Sequence, residues 1–180
     1  MIRAIGPAVS GAACILLLAS CQDTPASSPL HEDPYRNAPL HVSNNVRIVL
    51  YDSSVTQAVI TAGTATIDED RRVTMLRGGV HVTLYNAVTG SQTAVLDAEE
   101  ADIDDATQDM VATGNVIFVS DSTATTLRTP RVHWNHAQQQ LQSEAAVEIT
   151  TPREHLYGIG FRSDQYLSDY RIYNVRGIRQ

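Results

Sequence analysis

The sequence predicts an all-β protein built from one antiparallel sheet that is creased along its length and assembled from repeated units. Three observations carry that expectation. Ile60, Leu96, Leu127 and Ile159 each stand seven positions before a second large apolar residue, at Ile67, Ile103, Trp134 and Tyr166. A valine follows thirteen positions later in the first three units, at Val80, Val116 and Val147, and nine positions later in the fourth, at Val175. The units begin 36, 31 and 32 residues apart, so the internal offsets hold while the gaps vary. Fixed offsets with variable gaps mark one supersecondary unit repeated, with length changes confined to turns. Stacked units bury a continuous core and leave an unpaired strand at each end.

The elements follow in order. Val46 to Tyr51 alternates as a strand and opens the sheet. Each unit then reads as strand, turn, strand. Apolar or small residues alternate around each start, as at Ala58, Ile60 and Ala62, or Ala94, Leu96 and Ala98. A period of two indicates strand. The alternation slips by one and resumes at Ala65 and Ile67, Ala101 and Ile103, Val132 and Trp134, and Asp164 and Tyr166. One slip at the same place in every unit is what a bulge produces, because an extra residue bends a strand while keeping its apolar side inward. Turns rich in Asp, Asn and Ser come next, at 68–71, 104–107, 135–138 and 167–169. Those side chains bond nearby backbone groups and so favour turns. Return strands alternate at Val80, Val82 and Leu84, at Val116 and Phe118, and at Val147 and Ile149. Small pairs such as Gly78-Gly79 precede them and allow a second bend. No amphipathic helix of useful length interrupts this pattern. Period two alone also fits a sandwich or barrel; the shared offsets favour creased repeats.

The front of the chain has a different composition. Arg3 precedes a largely apolar stretch from Ala4 to Leu18, and Leu18-Ala19-Ser20-Cys21 has the form of a bacterial lipobox. Residues 1–20 are therefore expected to be a lipoprotein signal peptide, with Cys21 lipidated and becoming the new N-terminus. The apolar stretch is short for a membrane-spanning helix, which needs about twenty residues. Residues 21–41, rich in Pro, Ser, Asp and Asn, read as a flexible tether, and 42–180 as the folded domain. Cys14 leaves with the signal and Cys21 is modified, so the mature chain is expected to hold no disulfide. The formal charge is −7, and becomes −8 once Arg3 is removed. All basic residues are arginine. An acidic chain without a basic stripe argues against nucleic acid as a partner.

The repeats carry a more specific pattern. Val95-Leu96-Asp97-Ala98-Glu99-Glu100-Ala101 is followed by Ala112-Thr113-Gly114-Asn115-Val116, then Leu127-Arg128-Thr129-Pro130 with Trp134-Asn135, then Tyr157-Gly158-Ile159-Gly160-Phe161. In order and spacing, over roughly residues 42–178, this resembles the LptC family of periplasmic proteins of the lipopolysaccharide export bridge, related in fold to the LptA family. The resemblance implies a β-jellyroll, also described as a β-taco, with an apolar trough that shelters acyl chains. It implies no enzymatic activity and no cofactor. It implies lipopolysaccharide as cargo, received from the subunits of an inner-membrane ABC transporter and passed to an LptA-like periplasmic bridge protein.

The inward alternation marks the trough candidates as Ile60, Ile67, Val80, Val82, Leu96, Ile103, Val116, Phe118, Leu127, Trp134, Val147, Ile149 and Ile159. The same alternation fits a closed core. Partner edges are expected at Val46, Ile48 and Leu50 for the transporter and at Ile172 and Val175, within 170–177, for the bridge protein. Better-known enterobacterial members hold the membrane with a helix, whereas this chain carries a lipobox; the family implies the inner membrane, and Gln22 after Cys21 leaves the outer membrane open. Arg71, Arg72 and Arg77 are candidate contacts to lipid phosphates, with ordinary surface charge as the alternative. No metal site is expected, since His133 and His136 on a strand and its turn need not converge. The acidic turn around Asp104 lacks the glycine and terminal Glu of a calcium loop. A structural or interaction β-repeat lipoprotein without cargo is the main competing expectation. An enzyme on a repetitive β scaffold is a third, and would need a convergent cluster of Asp, Lys, Arg or His.

Overall fold

The computed structural model describes residues 41–179; the expected signal peptide, Cys21 and the tether up to residue 40 lie outside them. Eleven strands form a single sheet, with no helix among the described residues. They are β1 (His41–Asp52), β2 (Val55–Asp68), β3 (Val73–Tyr85), β4 (Gln92–Ala98), β5 (Glu100–Asp104), β6 (Met110–Ser120), β7 (Thr125–Asn135), β8 (Gln140–Thr150), β9 (Glu154–Asp164), β10 (Tyr170–Ile172) and β11 (Arg176–Arg179). Neighbours pair antiparallel in the order β1-β2-β3-β4-β6-β7-β8-β9-β10. β5 continues β4 beyond a break at Glu99 and pairs with β3 and β6; β11 pairs with β9.

The expected crease is present. Register shifts fall between Ala62 and Thr64, Thr113 and Val116, Arg128 and His133, and Ser143 and Ala146. β2, β3 and β6 to β9 are thus each divided into two arms, and the sheet folds along the line of shifts. At that line Gly78 and Gly79 adopt φ of +79° and +85°, which side chains rarely tolerate. Pro130 lies in the gap between Arg128 and His133, where its missing N–H costs no ladder bond. The Gly114-Asn115 step has its own clamp: the Glu99 N–H donates to the carbonyls of Thr113 and Gly114, and the Asn115 amide donates to the Glu99 carboxylate.

Two inward ladders cross the whole sheet. On the first arm, partners run Ile48, Ile60, Val82, Leu96, Phe118, Leu127, Ile149 and Leu156. On the second arm they run His41, Ile67, Thr74, Ile103, Met110, Trp134, Leu141, Ser163 and Tyr170. Between the latter and the crease lies a third row, Ser43, Ala65, Leu76, Ala101, Ala112 and Val132. Ala65, Leu76, Ala101, Ala112 and Val132 of this row are all buried in the core.

The fourth unit departs from expectation. Its crease falls at Gly158–Gly160, earlier than the repeat spacing predicts, with Gly160 at φ +86°. Its inward residues are Leu156 before the bend and Phe161 and Ser163 after it. Ile159 therefore sits on the bend and is 57% exposed, and Tyr166 lies in a turn rather than on a strand. A side chain at Gly158 would collide with Ile172 of the closing strand, so the close approach of the two strands requires glycine there.

Candidate lipid-binding interior and sheet edges

The interior gathers most of the residues singled out in the sequence. Ile60, Val80, Val82, Leu96, Val116, Phe118, Leu127, Val147 and Ile149 are buried in one continuous apolar cluster. Ile103 and Trp134 are half-buried against it. Ile67 is on the same inward ladder but 36% exposed, at the rim near β1. Ile159 is outside the cluster, for the reason just given. Leu76, Leu141, Phe161 and Leu167 belong to the core and were not among the expected lining residues. Leu76 carries the parity signal, because it is the last inward position before the Gly78-Gly79 bend. Leu167 lies in a turn and has no strand parity to mark it.

The interior is packed on itself. Two concavities, of about 470 and 390 Å³, lie on the outer surface: one between Arg47, Tyr51, Val59 and Tyr85, the other around Gln140, Arg162, Asp164 and Arg171. None of the thirteen residues expected to line a trough borders either. No buried side-chain polar atom among the described residues lacks a partner. The buried Thr129 and Ser143 hydroxyls meet at 3.1 Å beside the crease.

The two ends of the interior differ. Near β1, Val46 and Ile48 are half-buried and Leu50 is 43% exposed on the inward face. Near β9, Leu141 is 3% exposed. There the turn at 165–169, which joins β9 to β10 at the tip of the second arm, reaches the tip of the first. The Ser120 hydroxyl donates to the Tyr166 carbonyl at 2.6 Å, and Thr123 donates to the same oxygen at 3.3 Å. Leu167 is 1% exposed. The Tyr170 hydroxyl donates to Glu154 at 3.2 Å, again from the second arm to the first. Burial first, and then the Glu154 carboxylate, push the Tyr170 phenol above its ordinary pKa.

Charged groups decorate the outside. Arg77 bonds the carbonyls of Leu76 and Ala101 at 2.8 and 3.1 Å and pairs with Asp102 and Glu100 at 2.8 and 3.2 Å. It pins β3 to β5 and is committed to that role rather than to a lipid phosphate. His133 lies 3.6 Å from Asp109 and bonds Gln142 at 2.7 Å. Asp104 accepts the N–H groups of Thr107 and Ala106, which hold its carboxyl below the usual carboxylate range.

The edges are β1 at one end and the β10–β11 strand at the other. Ile172 is half-buried, whereas Val175 is exposed and falls between β10 and β11, outside either strand. The strand bulges there: Ile159 N–H donates to the Tyr173 carbonyl and Tyr173 N–H to the Gly160 carbonyl. Tyr157, Ile159, Tyr173 and Val175 are all exposed around this bulge.

The described strands thus form a folded antiparallel sheet with an apolar inside and two free edges. The structure is similar to the crystal structure of LptH from Pseudomonas aeruginosa, the LptA-homologous periplasmic component of a lipopolysaccharide transport device. The TM-score is 0.55 at 12% identity, over 68% of this chain and 94% of that one. The chain belongs to the lipopolysaccharide-assembly, LptC-related family, whose model matches residues 9–179. No curated protein sequence matches it significantly. Family membership gives it a role in lipopolysaccharide transport.

Proposed function

We propose that this protein is a periplasmic, lipid-anchored station of the lipopolysaccharide export bridge. It takes lipopolysaccharide from the inner-membrane ABC transporter at the β1 edge and passes it to an LptA-like protein at the β10–β11 edge. Cys21 supplies the anchor, at the inner membrane. The observation that carries this reading is the family match together with an apolar ladder that runs unbroken from Ile48 on the β1 edge to Leu156 on β9, beneath the β10–β11 edge. A backbone edge can add a partner's strand, and the ladders then continue across the joint. Acyl chains are held by burial, about 25 cal/mol per Å² of apolar area, with no directional bond to arrest them. Parting the arms for a lipid exchanges protein–protein apolar contact for protein–lipid contact, so little apolar surface meets water during passage. The outward apolar residues Tyr157, Ile159 and Tyr173 give the β10–β11 edge side-chain contacts to add to strand pairing.

The self-packed interior favours one other reading, an envelope lipoprotein whose β repeats are structural and carry no cargo. Photo-crosslinking amino acids at Phe118 and Leu127, in membranes, separate the two. A lipopolysaccharide adduct at these buried positions supports the conduit. Adducts absent at both, with the protein folded and membrane-bound, support the structural role. Depletion of the protein should also make new lipopolysaccharide accumulate in the inner membrane.

A further inference from the structure

We propose that the 165–169 turn is a latch that seals the β9 end of the interior, with Leu167 as its plug, and that it swings out when an acyl chain runs the length of the trough. The proposal rests on the conduit reading above and deepens it. Four equivalent turns close the tips of the second arm, and they make an internal comparison. Each begins with a side chain that accepts backbone N–H groups inside the turn: Asp68 from Arg71, Asp104 from Ala106 and Thr107, Asn135 from Gln138, and Asp164 from Tyr166 and Ser168. In the first three the enclosed residues face water. The fourth folds inward, buries a leucine, and alone among them bonds the first arm, through Ser120 and Thr123.

Leu167 has φ +54°, and Arg72, Gln108 and Gln139 hold the same left-handed conformation in the other three turns, at +55°, +62° and +52°. There the left-handed residue faces water; only in the fourth turn is it apolar and 1% exposed. The surroundings here are the apolar space between the arms, which is also where a lipid methylene chain would lie; the plug and the cargo compete for one volume. The seat on the first arm is suited to release. Ser120, Ser122 and Thr123 offer hydroxyls, with Ser120 and Ser122 3.0 Å apart; Ser120 follows Leu50, Ala58, Leu84 and Ala94 in one inward row, which goes on to Thr125. Hydroxyls freed from Tyr166 bond water instead, so opening leaves no buried polar group unpaired. The Tyr170–Glu154 bond is a second clasp with the same property.

Hydroxyl-radical footprinting of the full chain, with and without added lipopolysaccharide, tests this by reading the exposure of single side chains. Oxidation of Leu167 should rise several-fold when lipopolysaccharide binds, while Phe161 stays protected. Leu167→Gly keeps a residue that accepts the left-handed backbone but removes the plug; Ser120→Ala weakens the seat without touching the turn. Both should speed lipopolysaccharide uptake several-fold over the parent. If lipopolysaccharide binds while Leu167 remains protected and neither variant changes the uptake rate, the latch is wrong and the conduit stands. If neither parent nor variants take up lipopolysaccharide, conduit and latch fall together.

Discussion

At the β1 end the apolar inside of the sheet is open to water; at the β9 end it is sealed. The same ladders serve both ends, and the residues that compose them are alike. Ile67 and Leu141 occupy the same rung of the second arm, yet one is a third exposed and the other fully covered. The difference lies in what lies across the arms. Near β1 nothing among the described residues spans them, whereas near β9 the 165–169 turn and Tyr170 do. Closure is therefore a property of one turn and two clasps, and the strands themselves carry no preference for open or shut.

Core truncation should expose that difference most strongly. Ile149→Ala removes a fully buried side chain from the sealed end and is expected to cost about 2–5 kcal/mol. Ile67→Ala, at the open rim, should cost about 1 kcal/mol or less, since much of its side chain already meets water. Urea midpoints at unchanged m-value measure both. Equal losses would erase the distinction between the ends.

Weaker effects come from the clasps. Ser120→Ala should destabilise by about 1 kcal/mol, because Thr123 still serves the Tyr166 carbonyl. Ser53→Ala, in the exposed turn next to Asp52 at the open end, should stay within about 0.5 kcal/mol of the parent. Tyr170 adds a pH signature. Its folded pKa is raised, so its contribution is fully present below the ordinary phenol value of about 10 and is lost as pH climbs through the folded value. Tyr170→Phe should remove that alkaline loss from the stability profile. The smallest effect belongs to Asp104, in a turn far from either clasp. Its folded pKa is lowered, so its contribution is present above the ordinary carboxylate pKa and fades as pH falls through the folded value. Faster amide exchange at Ala106 and Thr107 in acid, with the latch unaffected, is the expected readout.

How far the residues alone disclose this structure varies along the chain. The creased sheet and its first three units were legible because apolar parity, the one-residue slip and the Asp or Asn turns all repeat together. The fourth unit was misplaced at Ile159 because its glycines at 158 and 160 move the bend, and a bend moved within a strand inverts which residues face inward. Val175 was misread with it, since the closing strand is broken at 173–175. The latch was illegible in principle from periodicity. Ser120 and Tyr166 are 46 residues apart, and the contact uses a backbone carbonyl, which leaves no mark on residue choice at Tyr166. Leu167 in a run of turn residues is its one trace.

The most direct test of a lipid path that opens from the β1 end is photo-crosslinking to lipopolysaccharide at paired depths: Ile103 on the open side, Leu141 on the sealed side, in the parent and in Leu167→Gly. The path described here predicts adducts at Ile103 in both proteins, and adducts at Leu141 that are weak in the parent and several-fold stronger in Leu167→Gly. Equal labelling of Leu141 in the two proteins, or no adduct at Ile103 in either, would contradict it.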